Sequence, residues 1–139
     1  MTSLRILIAD DKPLVRVGLR MLVEQHDGWI VCGEAADGLE AVEKATNLKP
    51  DVILLDISMP KLDGLSALPT IRKQIPDSDI VILTLHESLD MARIAAEAGA
   101  RAYVTKSRLS AELVPAIEAL QSAHGYLGLW NRSFPYQLD

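Results

Sequence analysis

The chain has 139 residues, enough for one domain with a continuous core, and 49% hydrophobic against 24% charged residues is a globular balance rather than a disordered one. A net charge of −5 with no Lys/Arg block gives no basic footprint for nucleic acid, and a single cysteine excludes a disulfide framework or a Cys-rich metal site. No apolar run approaches the roughly 20 residues of a membrane span, and Met1-Thr2-Ser3-Leu4-Arg5 runs into a strand without a signal peptide, so a cytoplasmic setting is expected.

Apolar runs alternate with amphipathic stretches five times. Leu4 to Ala9 reads as a first strand ending in Asp10-Asp11. Pro13 suits the first turn of a helix, and Val15, Leu19, Leu22 and Val23 give that helix one apolar stripe. After Asp27-Gly28, Trp29 to Ala35 reads as a second strand, with Cys32 expected as a buried thiol. Asp37 and Glu40 stand at capping-box spacing and start a helix whose stripe is Leu39, Val42 and Leu48. Val52 to Asp56, set between Pro50 and Pro60, is a third strand.

A loop through Met59-Pro60 and Asp63-Gly64 leads to a helix with Leu65, Leu68 and Ile75 inward, in which Pro69 predicts a kink or early stop. Ile80 to Thr84 is a fourth strand. Ser88 caps a helix that turns Met91, Ile94, Ala95 and Ala98 inward and ends at Gly99. Ala102 to Thr105 is a fifth strand, and Ser110 opens a last helix to about Ala123, with Pro115 close to its start. His26 and His124 read as surface residues at helix ends, and His86 as a solvated residue near the rim of the strand ends.

Strict alternation of this kind predicts an α/β fold: a parallel sheet with right-handed crossovers and helices on both faces. Five units point to the flavodoxin-like doubly wound order 2-1-3-4-5. A strand covered on both faces should be apolar throughout, so Asp56 is not filling core. In that order four neighbouring strands deliver Asp10 and Asp11, Asp56, Thr84 and Lys106 to one crevice, while the edge strand offers only Glu34, with no matching role.

Three carboxylates in one crevice repel each other, and a hard divalent cation such as Mg²⁺ resolves the repulsion with oxygen ligands. With a lysine and a hydroxyl beside them, the parts make a phosphoryl-transfer site. Asp56 is the acceptor, Asp10 and Asp11 the metal-side acids, Thr84 a donor to a phosphoryl oxygen and Lys106 its counter-charge. Taken singly, an Asp pair before a helix often only caps it, and a strand-end lysine is often only solvated. The conjunction at equivalent strand ends gives the specificity.

The motifs Ile8-Ala9-Asp10-Asp11, Asp56 with Met59-Pro60 and Asp63-Gly64, Leu83-Thr84 and Tyr103-Val104-Thr105-Lys106 together resemble a two-component response-regulator receiver domain. The likeness covers residues 4 to 123. It implies phosphorylation of Asp56 by a sensor histidine kinase, with Mg²⁺ held by Asp10, Asp11, Asp56 and the backbone carbonyl of Ser58. It further implies a switch through Thr84 and Tyr103 that reshapes the face of the fourth helix, fifth strand and fifth helix, and partner choice written near Arg16, Val17 and Arg20. Leu7-Ile8-Ala9-Asp10-Asp11, Gly18-Leu19 and Gly99-Ala100-Arg101-Ala102-Tyr103 are similar to the branch whose output is a LuxR-class helix-turn-helix domain. Such a domain is not in this chain, and DNA would be bound only through it. A stand-alone receiver acting by protein-protein binding is the alternative.

On this reading the domain assists its own phosphorylation and dephosphorylation and is not an enzyme for outside substrates. A haloacid-dehalogenase-type phosphatase needs a second Asp where Ser58 stands, and a flavodoxin-like cofactor site needs a Gly-rich loop where Asp10-Asp11-Lys12-Pro13 stands. Two departures from many receivers are Ser107 in place of Pro after Lys106, where a cis bond would cost about 3 kcal/mol, and Leu85 in place of a small residue after Thr84. The expected organisation is a receiver over 1–123 and a tail or linker over 124–139. That tail carries Tyr126, Trp130, Phe134 and Tyr136, four of the six aromatics. It is expected to pack loosely or to dock on the receiver or across a homodimer.

Overall fold

The computed structural model describes residues 3–85 and 88–123, so His86, His124 and the aromatic segment lie outside the described residues. The elements are β1 (Leu4–Ala9), α1 (Pro13–Glu24), β2 (Trp29–Ala35), α2 (Gly38–Leu48), β3 (Val52–Asp56), α3 (Gly64–Gln74), β4 (Asp79–Thr84), α4 (Leu89–Glu97), β5 (Ala102–Thr105), a short 3₁₀ turn (Lys106–Arg108) and α5 (Leu109–Ala123). The five strands are all parallel, in the order β2-β1-β3-β4-β5.

Side-chain alternation along the strands feeds two apolar layers. Ile6, Ile8, Val52, Leu54, Val81, Leu83 and Val104 pack under Leu19 and Val23 of α1 and Leu113, Ile117 and Leu120 of α5. Leu7, Ala9, Ile53, Leu55, Ile80, Ile82 and Tyr103 pack under α2, α3 and α4. The central strand β3 is buried at every position, as expected of a strand covered on both faces.

The expected caps at Asp37 and Ser88 and the stop at Gly99 hold, and Asp63 adds a further cap. The Asp37 carboxylate accepts from the Glu40 N–H at 2.8 Å, Asp63 from the Ser66 N–H at 2.8 Å, and Ser88 from the Met91 N–H at 3.3 Å. Glu40 reaches back to the N–H of Ala36 at 2.8 Å rather than to the cap residue itself. Gly99 closes α4 with φ +108°, a left-handed backbone suited to glycine.

The inward stripes differ from expectation in two helices. Leu39 is 56% exposed, and α2 instead buries Gly38, Ala41 and Ala45. Ile94 is 49% exposed, and α4 buries Ala92 and Ala95. In both, small residues let the helix lie close to the sheet, and the larger apolar side chains turn outward or flank the contact. Pro69 does not stop α3, which runs unbroken to Gln74; its missing N–H leaves only the Leu65 carbonyl without an intrahelical donor. Pro115 lies inside α5, which begins at Leu109. His26 is not simply a surface residue: its ring stacks on Trp29 at 3.6 Å and its Nε2 lies 3.1 Å from Glu118.

Cys32 is half-buried rather than core, and the cause is a register shift. Ile6 pairs with Val31 but Leu7 pairs with Gly33, so Cys32 is an extra residue in β2, a bulge in a parallel pair. Trp29 and Val31 face the α1–α5 layer, whereas Cys32 and Ala35 face the other.

The turn into α3 is tight. The Gly64 N–H donates to the Ile57 carbonyl at 2.7 Å, and a Cβ at Gly64 would stand 2.0 Å from the backbone oxygen of Asp56. Gly64→Ala is therefore expected to destabilise the domain by about 3 kcal/mol, at the upper end of overpacking effects. Urea unfolding of the two chains measures this.

Candidate functional site

The parallel sheet sets four carboxyl-terminal strand ends side by side. Ala9 pairs with Leu55, Asp56 with Leu83, and Thr84 with Thr105, so Asp10, Asp56, Thr84 and Lys106 follow at one edge. Asp10 and Asp56 are almost wholly buried, Thr84 nearly so, and Asp11 is half-exposed. One oxygen from each of Asp10, Asp11 and Asp56 can be chosen so that all lie within 4.8 Å of one another.

Lys106 joins the two buried acids. Its Nζ lies 2.7 Å from Asp10 Oδ2, off the axis of a hydrogen bond, and 3.2 Å from Asp56 Oδ1. Asp10 Oδ1 accepts the Lys12 N–H at 2.9 Å, and Asp56 Oδ1 accepts a long bond from the Ser58 N–H at 3.4 Å. Asp56 Oδ2 is buried and accepts no hydrogen bond among the described residues. Burial, and then the Asp10 charge, push the Asp56 carboxyl above the usual aspartate range against the pull of Lys106. Burial works against the Lys106 charge, but contact with Asp10 and the charges of Asp56 and Asp10 outweigh it and hold the ammonium above the usual lysine range.

Asp56, Thr84 and Lys106 line a cavity of about 130 Å³ together with Lys12, Ile57, Ser58 and Leu85. Leu85 is 59% exposed at its mouth, and Ser58 is exposed while Met59 is buried as apolar cover. Tyr103 is fully buried in the layer under α4. All described peptide bonds are trans, including the one into Ser107. A larger groove of about 500 Å³ between α1 and α5 carries Val15, Leu19, Leu22 and Leu109 but no carboxylate, so the chemistry belongs to the smaller cavity.

The site brings together all five residues that the strand ends predict. Glu34, given no matching role, connects to it through Arg16, which the resemblance places with partner choice. Glu34 has a role after all: its carboxylate takes Arg16 Nε at 3.0 Å on one oxygen and Arg20 Nε and Nη2 at 3.0 and 2.6 Å on the other. Arg16 is thus not a free surface residue, since its Nη1 also donates to the backbone carbonyl of Asp10 at 2.7 Å. The available signal was the spacing of Arg16 and Arg20, four apart on α1, but the face of Glu34 depends on the bulge at Cys32.

A five-stranded parallel sheet in this order, with buried acids and a lysine converging at its carboxyl edge, defines a flavodoxin-like domain of the receiver class. Residues 6–118 match the response regulator receiver domain, and the chain belongs to that family, the receivers of two-component systems. It is 42% identical over 111 residues to the transcriptional regulatory protein YhcZ of Bacillus subtilis (strain 168), covering 80% of this chain and 52% of the relative. Among solved structures it resembles a LuxR-family two-component response regulator from Aurantimonas sp. SI85-9A1, with 41% identity, a TM-score of 0.83, and 88% and 87% of the two chains covered. It also resembles the response regulator domain of Thermotoga maritima CheB, with 34% identity, a TM-score of 0.81, and 86% and 97% covered. The chain spans about half the length of the curated relatives it matches. None of its described helices is long and apolar enough to cross a membrane.

The raised Asp56 carboxyl gives a pH prediction for the metal-free chain. A carboxyl that holds its proton more tightly folded than unfolded loses stability as pH rises from about 3.9 through the higher folded value. Asp56→Asn removes that loss. In EDTA at pH 7 the variant is expected to unfold at higher urea concentration than the wild type, with the gap closing as pH falls toward 4.

Proposed function

We propose that this receiver accepts a phosphoryl group on Asp56 from a sensor histidine kinase, with Mg²⁺ held by Asp10, Asp11, Asp56 and the Ser58 carbonyl. The observation that carries the reading is the buried, unpartnered Asp56 Oδ2, on a cavity-lining carboxylate flanked by two further acids and a lysine. A purely structural acid would have its lone pairs satisfied. Three acids around one buried lysine, which reaches only two of them, are instead suited to a divalent cation.

In the reaction a carboxylate oxygen of Asp56 attacks phosphorus. The oxygen–phosphorus bond forms as the donor's bond to phosphorus breaks, and Asp56 becomes an acyl phosphate. When bound, Mg²⁺ supplies positive charge against the acids and the phosphoryl oxygens. Lys106 is already held as an ammonium beside the acceptor and pairs with a phosphoryl oxygen. The Thr84 hydroxyl donates to another. The domain acts only on itself in this scheme and turns over no outside substrate.

The added phosphate then biases a two-state face made by α4, β5 and α5. In this scheme Thr84 follows the phosphoryl group, and Tyr103, buried in the layer under α4, follows Thr84. Relatives named as transcriptional regulators support an output in transcription, through a DNA-binding domain outside this chain.

Labelling with a small phosphodonor such as acetyl phosphate is expected to require Mg²⁺ and to be abolished in Asp56→Asn. Equal labelling of the variant would refute the assignment. Leu85 narrows the cavity mouth over Asp56 and so limits water. Leu85→Ala is expected to hydrolyse its acyl phosphate several-fold faster, read as loss of label over time after the donor is removed.

A further inference from the structure

The two metal-side acids are adjacent, so the peptide between them sets how their carboxylates sit relative to each other. The carbonyl of that peptide belongs to Asp10, and it accepts Arg16 Nη1 at 2.7 Å. Arg16 is itself fixed: its side chain is only 18% exposed, and Nε is bound to Glu34 Oε1 at 3.0 Å. Glu34 is fixed in turn on β2 by Arg20 at its other oxygen, and these two arginines hold its carboxyl below the usual glutamate range. The Asp10 N–H donates to the Ala35 carbonyl, the next residue of β2, at 3.0 Å. Asp10 is therefore gripped on both backbone groups by one strand, directly on its N–H and through Arg16 on its carbonyl.

We propose that Arg16, anchored on Glu34, is a positioning residue for the cation site: it orients the Asp10–Asp11 peptide so that both carboxylates face the metal. This rests on the Mg²⁺ reading above. Arg16 needs two donors at a fixed fork, one for Glu34 and one for the carbonyl. A lysine has the charge but not the fork.

Electrostatics alone predicts the opposite sign, which makes the inference testable. If Arg16 acted only as a nearby positive charge, its removal would tighten cation binding. If it positions the acids, its removal weakens binding, as loss of outer partners of metal ligands commonly does by about 10-fold or more. The measurement is the Mg²⁺ dissociation constant of the full chain by titration calorimetry, with urea unfolding run in parallel. Arg16→Ala and Arg16→Lys are both expected to bind Mg²⁺ about 10-fold more weakly. Arg20→Ala, which loosens Glu34 but leaves both Arg16 contacts in place, is expected to weaken binding clearly less than Arg16→Ala. Unchanged or tighter binding in Arg16→Ala, full rescue by Arg16→Lys, or an equal loss in Arg20→Ala would each overturn the inference while leaving the site reading intact. A wild-type chain that binds no Mg²⁺ would overturn both.

Discussion

The interaction on which the structure turns is the contact of Lys106 with Asp10 and Asp56. Two carboxylates and an ammonium are taken from water at one sheet edge, which is unfavourable unless each charge has a partner. Lys106 serves both acids, and its single charge cannot neutralise two. The domain therefore carries an unbalanced negative charge inside its own crevice. The same imbalance that costs stability in the metal-free chain leaves three acids close enough together to hold a cation.

Such a site persists because the backbone fixes most of its parts, with two arginines bracing it. Parallel register puts the strand ends level. The Gly64 turn presses directly on the Asp56 carbonyl. A Cβ at Gly38 would stand 1.7 Å from the Leu62 backbone oxygen, so the loop after β3 lies against the start of α2. On the far side of the sheet, Arg72 donates to the carbonyls of Pro76, Ser78 and Gly99 and ties α3 to the strand entrances. These braces surround a small region of mutual repulsion with rigid structure, the arrangement expected where local strain is functional.

Much of this was legible in sequence, for physical reasons. Strand β3 is short, otherwise apolar and bracketed by prolines, so its one carboxylate stood out. Asp37 and Ser88 act on N–H groups three residues away, and local chemistry of that kind survives tertiary context. The inward faces of α2 and α4 did not read correctly, because close helix-to-sheet approach selects Ala41, Ala45, Ala92 and Ala95 over the larger Leu39 and Ile94. Pro69 misled because one lost backbone bond is a smaller matter than the burial of Ala67, Leu68 and Ile71 on either side of it. Glu34 was set aside because its direction depends on a register shift that alternation alone cannot reveal.

That shift is a matter of parity. With β2 in unbroken alternation, Glu34 would share a face with Ile30 and Cys32 and point away from α1. The one additional residue at Cys32 reverses the count, so Glu34 turns toward Arg16 and Arg20 while Ala35 returns to the opposite layer. Were Cys32 instead taken into the ladder with no bulge, everything that follows in β2 would change faces, moving a charge into an apolar layer and a methyl out to the arginines. Its deletion would close the bulge and leave Gly33, Glu34 and Ala35 on the faces they hold. How the residues of this strand are counted against β1 is as much a determinant of the crevice as any side chain in it.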